Sequence, residues 1–267
     1  MNWKSIPAVF VNGTLVLVGG ALVAGSSACS MATLGSAKPV DVGETQFVVA
    51  PAFSRIGLAK SARPGAQFEV GGRHGLTENV DIGARLWLPM PGYTLDSRIA
   101  LKKAEAADKG LDVSLNPGLM YIYAPGGDTN ASPLHFATIQ LAVLFGIHLA
   151  GGKQLVIGPK LTDIISADTS TEFGSTFNML IAGTSVGYVW PMTRNFTLVP
   201  EVAFGMAVLG GVTGFGSDLG NNGNVLQFSL GMLFGGTKGP ELRCVEVPVV
   251  PPAAVVPAEA ASPATAP

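Results

Sequence analysis

The sequence predicts an all-β protein: a closed antiparallel up-and-down transmembrane β-barrel of about ten strands (8 to 12), with a disordered C-terminal tail. Three observations predict it. Apolar and polar residues alternate with period two in segment after segment. Tight turns alternate with longer connections. Only 13% of residues are charged, and glycine is abundant at 35.

The alternation is clearest in Val225-Leu226-Gln227-Phe228-Ser229-Leu230-Gly231-Met232-Leu233-Phe234. Leu226, Phe228, Leu230, Met232 and Phe234 share one face, and Gln227, Ser229 and Gly231 the other. Val225 and Leu233 are exceptions. Successive side chains leave a pleated strand on opposite faces, so this period means strand.

Residues 1–28 read as a signal peptide: Lys4, an apolar stretch over 8–24, then the small residues Ser26-Ser27-Ala28. A membrane anchor is the rival reading, opposed by Asn12, Gly13, Gly19, Gly20 and Gly25. Residues 29–43 are expected as a periplasmic N-terminal linker, 44–235 as the barrel and 236–267 as a Pro/Ala-rich disordered periplasmic tail. Past residue 28, no run reaches the roughly 18 to 20 apolar residues of a spanning helix.

Strands are expected at 45–58, 66–76, 79–89, 96–106, 110–123, 134–149, 153–165, 176–190, 195–209 and 224–234. The turns are set at Thr77-Glu78, 107–109, Gly151-Gly152 and 191–194. Longer connections are expected over 59–65, 90–95, 124–133, 167–175 and 210–223. An even strand count puts both chain ends on one side. Pro51, Pro117, Pro159 and Pro200 fall inside strands, where bulges are expected to absorb them.

The faces decide between lipid and water outside. The large apolar set, such as Ile82, Leu86, Phe196 and Phe204, faces a partner set that is small or charged. That second set makes a thin coat for a soluble barrel but suits a crowded lumen. It carries Glu69, Arg73, Asp81, Arg85 and Glu201, expected as a luminal charge cluster. A turn at Thr77-Glu78 places Arg73 near Asp81, and Glu69 near Arg85. Trp87, Tyr121, Tyr123, Tyr188 and Trp190, near strand ends, suit interfacial girdles.

His74, His135 and His148 are isolated, and no catalytic residue is assigned; His135 near Ser132 is the enzyme candidate. A net charge of −2 points away from nucleic acid, and two cysteines make no metal site or disulfide framework. No cofactor is expected.

Ser26-Ser27-Ala28-Cys29 resembles a bacterial lipobox, with Ser26 where that family usually has Leu. The resemblance implies acylation of Cys29. Plain cleavage after Ala28, and a disulfide between Cys29 and Cys244, are the other readings. Gly75–Arg85 resembles the strand-turn-strand signature of bacterial outer-membrane β-barrel proteins, and the strand ending at Phe234 resembles their assembly signal, here followed by a tail. The resemblance covers about Glu44 to Gly235. It implies an outer-membrane location and a periplasmic tail. Its implied partners are outer-membrane lipids and the barrel-assembly machinery, with the cell wall within reach of the tail. The leading expectation is a structural or surface barrel, or a narrow pore with a side-chain-filled lumen. A lipid-modifying enzyme and a soluble lipocalin-like binding barrel are the alternatives.

Overall fold

The computed structural model describes residues 31–58, 61–88, 91–106, 108–124, 134–167, 176–212 and 224–235. The signal peptide, Cys29, Cys244, Ser132 and the tail lie outside these described residues.

Ten strands close into one antiparallel barrel. They are β1 (Thr45–Leu58), β2 (Ser61–Thr77), β3 (Val80–Leu88), β4 (Gly92–Lys102), β5 (Leu111–Ala124), β6 (Leu134–Leu149), β7 (Lys153–Ala167), β8 (Thr176–Thr193), β9 (Phe196–Val212) and β10 (Asn224–Gly235). Each pairs with its sequence neighbours, and β1 pairs with β10, Phe47 opposite Phe234, to leave no edge. One rim carries the β2–β3, β4–β5, β6–β7 and β8–β9 connections with the ends at Thr45 and Gly235; this is the turn rim. The opposite rim carries the remaining connections.

The largest boundary difference is β4, which runs Gly92–Lys102 rather than 96–106. The start that differs is Gly92-Tyr93-Thr94-Leu95, expected as part of a long connection; Asp96 and Arg98 point inward and are buried. Two connections expected to be long are short: β1 and β2 pair as far as Leu58–Ser61, and β3 reaches Leu88 before β4 begins at Gly92. The β2–β3 turn lies at Glu78–Asn79, one residue later than expected, with a register shift between Gly75 and Thr77.

Whereas Pro191, also within β8, adjoins a register shift against β9, the four prolines expected inside strands need no bulge. Pairing with one neighbour lapses at each and resumes in the same register: Val49 to Ala52 against β10 around Pro51, and Asp96 to Ile99 against β5 around Pro117. The same holds for β6 against β7 around Pro159, and β8 against β9 around Pro200. A missing N–H costs one ladder bond locally but does not shift the pleat.

The outer face is apolar. Phe53, Leu86, Leu95, Leu119, Ile139, Leu161, Phe204 and Phe228 are all exposed. The inner face holds the buried charges: Glu69, Arg73, Asp81, Arg85, Asp96, Arg98, Asp112, Lys160 and Glu201. This is inside-out relative to a water-soluble barrel. Near the rim opposite the turn rim, Tyr93, Tyr121, Tyr123 and His135 form an outward aromatic group, with Tyr93 and Tyr121 rings 5.5 Å apart. Trp190 is outward near the turn rim. Trp87 is not a girdle residue. It shares the parity of Asp81 and Arg85, is buried, and donates from Nε1 to Thr94 Oγ1 at 3.1 Å.

Candidate functional site: the occupied lumen

The lumen holds two structures, and the first is a charge network on β2, β3 and β4. Arg73 donates to Asp81 Oδ1 from Nε at 3.1 Å and from an Nη at 2.7 Å, and also pairs with Asp96. Arg85 bridges Glu69 at 3.0 Å and Asp96 at 3.3 Å, and Arg98 lies 3.8 Å from Asp81. Three arginines thus face three carboxylates in a buried, charge-balanced set. Such groups are tolerable away from water only when paired this way. Arg73 and Asp81, like Glu69 and Arg85, meet diagonally, because the ladder places Arg73 opposite Gly83 and Gly71 opposite Arg85. Asp96 and Arg98 complete the network; their alternate spacing in β4 was the signal for them.

Glu201 does not belong to that network. It sits on β9 and receives a different partner, the second occupant of the lumen: the chain's own N-terminal segment. Residues 29–43 were expected outside the barrel as a linker. Residues 31 to 37 are instead almost wholly buried, and Met31 is fully so. The segment runs from Met31, beside β8, β9 and β10, to Val40 at the turn rim. Gly43, at φ 75°, then turns the chain, and Gly43 and Glu44 pair with Gly75 before β1 begins.

The barrel wall holds this segment by its backbone. The N–H of Met31 donates to Gln227 Oε1 (2.8 Å), that of Ala37 to Gln154 Oε1 (2.9 Å) and that of Val40 to Asp81 Oδ2 (2.8 Å). The N–H groups of Thr33 and Leu34 donate to the two oxygens of Glu201, at 2.7 and 2.8 Å. Leu34 has φ 47°, unusual for a residue with a side chain. That left-handed step helps turn two successive N–H groups toward one carboxylate, as in an anion-binding nest. In the other direction Lys160 Nζ donates to Met31 O (2.6 Å), Arg98 to Lys38 O (3.1 Å) and Arg85 to Ala32 O (3.5 Å).

Apolar packing supplements the hydrogen bonds. Ala32, Leu34 and Ala37 join Val48, Ala50, Leu144, Val156, Val199 and Leu233 in one cluster. Met31 joins Ile164, Met179, Ile181, Ala203 and Val225 in another. Val225 and Leu233, the two apolar residues on the wrong face of β10, therefore have apolar partners in the segment. Inward glycines make room: a Cβ on Gly205 would lie 2.8 Å from Met31 Cε, and one on Gly146 2.7 Å from Ala37 Cβ. Eight strands give a lumen that side chains can fill. Ten strands with a glycine-rich wall leave a bore, and this segment occupies part of it.

The remaining sequence candidates lie elsewhere. Phe234 is outward at the end of β10, its ring 5.3 Å from that of Phe196. His135 Nδ1 and Tyr121 Oη are 2.6 Å apart on the outer face. His74 meets Thr45 Oγ1 at 2.9 Å. His148 lies 2.6 Å from Asp112 near the turn rim, where Gln154 also donates to Asp112.

Closure, an apolar exterior and a charged interior define a β-barrel of the kind that spans a membrane. No protein-family description and no curated protein matches the chain. Solved structures similar to it include neisserial surface protein A, at 9% identity and TM-score 0.40, covering 72% of this chain and 98% of that one. The translocator domain of the autotransporter NalP from Neisseria meningitidis is 14% identical, at TM-score 0.39, with 86% and 99% covered. Ail, the attachment invasion locus protein of Yersinia pestis, is 11% identical, at TM-score 0.26, with 73% and 99% covered. At these values the likeness is one of barrel plan and carries no function.

Proposed function

We propose that this protein is a sealed outer-membrane barrel with a structural or surface role, not an open pore. Its ends at the turn rim face the periplasm, where the C-terminal tail extends. Lipids of the outer membrane cover the apolar face, and the assembly machinery engages the strand ending at Phe234. One observation carries the sealed reading: residues 31–40 are bonded to the wall from β3, β7, β9 and β10, beside the arginine–carboxylate network. A hydrated conduit needs a continuous unoccupied path, and both occupants stand in it. Planar-bilayer recording tests this. The full-length protein is expected to show no steady conductance, whereas a variant lacking residues 31–40 opens. Large steady openings of the full-length protein would reject the proposal.

A further inference from the structure

We propose that the lumen is a binding site for an extended peptide backbone, filled at rest by residues 31–40 and able to take a peptide of like chemistry in trans. The inference shares the lumen geometry of the sealed-barrel reading but makes a separate claim.

Most of the contacts are main-chain ones that a peptide of another sequence can make, provided its fourth residue takes the left-handed conformation of Leu34. Five backbone N–H groups, of Met31, Thr33, Leu34, Ala37 and Val40, and three carbonyls, of Met31, Ala32 and Lys38, bond to wall side chains. Among the described residues, the Thr33 hydroxyl is the one side chain of the segment that bonds to the wall, at Glu201 and Ser185. The Ser36 hydroxyl bonds within the segment, to Lys38 O, and the Lys38 side chain bonds just beyond it, to Asp41. Main-chain contacts give affinity with little sequence information, while side-chain space gives the selectivity. Here the space asks for small residues at two places. A Cβ on Gly35 would lie 3.1 Å from Arg98, and Ala37 lies against the bare backbone of Gly146. Apolar anchors fit at Met31 and Leu34, in the two clusters described above. The ligand class is thus an extended peptide with apolar first and fourth residues and small residues between and after them.

The covalent tether at Val40 raises the local concentration of the resident segment but adds no contact to the wall. Cutting it should turn an intramolecular plug into an exchangeable ligand. Val42 is 54% exposed, so the cut can be made there after folding.

The test inserts a protease site at Val42 in the full-length protein, cleaves the folded barrel in detergent, and adds an excess of a synthetic peptide with the sequence of residues 31–40. The fluorophore is carried on Lys38, whose side chain is half exposed. A saturable anisotropy rise is expected. A peptide with Thr33→Ser and Ser36→Ala should bind within a few-fold. N-methylation at Thr33 and Leu34, or Glu201→Gln in the barrel, should weaken binding tenfold or more. A barrel lacking residues 31–40 provides a second receptor for the same titration. Absence of saturable binding to both receptors overturns the inference, as does equal binding of the N-methylated peptide. If the full-length barrel is non-conducting at the same time, the sealed-barrel reading survives that failure.

Discussion

Thr33 and Glu201, 168 positions apart in sequence, are joined by two hydrogen bonds inside the barrel: the Thr33 N–H and its hydroxyl reach Glu201 Oε1 at 2.7 and 3.0 Å. With the Leu34 N–H on Oε2, one carboxylate gathers three donors from the segment. Hydrogen bonds to a charged group contribute roughly 1.5 to 3 kcal/mol each. Glu201→Ala should therefore lower stability by about 2 to 4 kcal/mol. Glu201→Gln, which keeps one acceptor, should lower it less. Urea unfolding in detergent measures both, and equal effects would contradict the nest.

Gly205 tests steric room. A leucine there would fill the space now held by the Met31 side chain, and overpacking costs about 1 to 3 kcal/mol. The segment is the softer party, because it is not part of the ladder. Gly205→Leu should abolish hydrogen-exchange protection of residues 31–34 while strand amides keep theirs. Unchanged protection of those residues would show that the segment does not lie there.

Leu233 and Leu230 are close in β10 but face opposite ways. Leu233 is 3% exposed and packs in the cluster with Leu34, whereas Leu230 is 39% exposed on the outer face. Leu233→Ala should cost roughly 2 to 4 kcal/mol, as a buried leucine does. Leu230→Ala should cost clearly less. A reversed order, read by the same unfolding assay, would mean the faces are misassigned.

The Arg85–Glu69 pair should be coupled. Removing either leaves a buried charge with fewer partners, which is worse than removing both. A double-mutant cycle with Arg85→Ala and Glu69→Ala should give an interaction energy on the order of 1 to 3 kcal/mol. Simple additivity would show that the 3.0 Å contact contributes nothing to stability.

Much of this was legible in the chain. Period-two alternation set the strands, and the parity of Glu69, Arg73, Asp81 and Arg85 put all four on one face, because a one-residue slip would move the whole set to the other. Arg73 and Asp81 could be matched across a tight turn because the separation is local. Glu201 shared their parity, yet nothing local says which luminal group it meets, and its partners come from the other end of the sequence. The plug itself left weaker marks. Val225 and Leu233 were apolar where the lumen should be polar, and the inward glycines left a bore unfilled. Both signs point to something apolar inside, but neither names residues 31–40. Hairpin register is set by neighbours, whereas threading a segment through a closed wall is decided only once the wall exists.

The most direct test of the threaded segment is a cross-link between Ala37 and Gly146. A Cβ on Gly146 would lie 2.7 Å from Ala37 Cβ, so a small shift reaches the roughly 3.8 Å of a disulfide. Ala37→Cys and Gly146→Cys are introduced with Cys29→Ser and Cys244→Ser, the protein is oxidised in native membranes, and the linked peptides are sought by mass spectrometry. A bond between positions 37 and 146, absent when position 146 is exchanged for the outward Ala84, is the predicted result. Lack of that bond, with the thiol introduced at position 37 fully labelled by a membrane-impermeant maleimide, would place the segment outside the barrel and contradict the account.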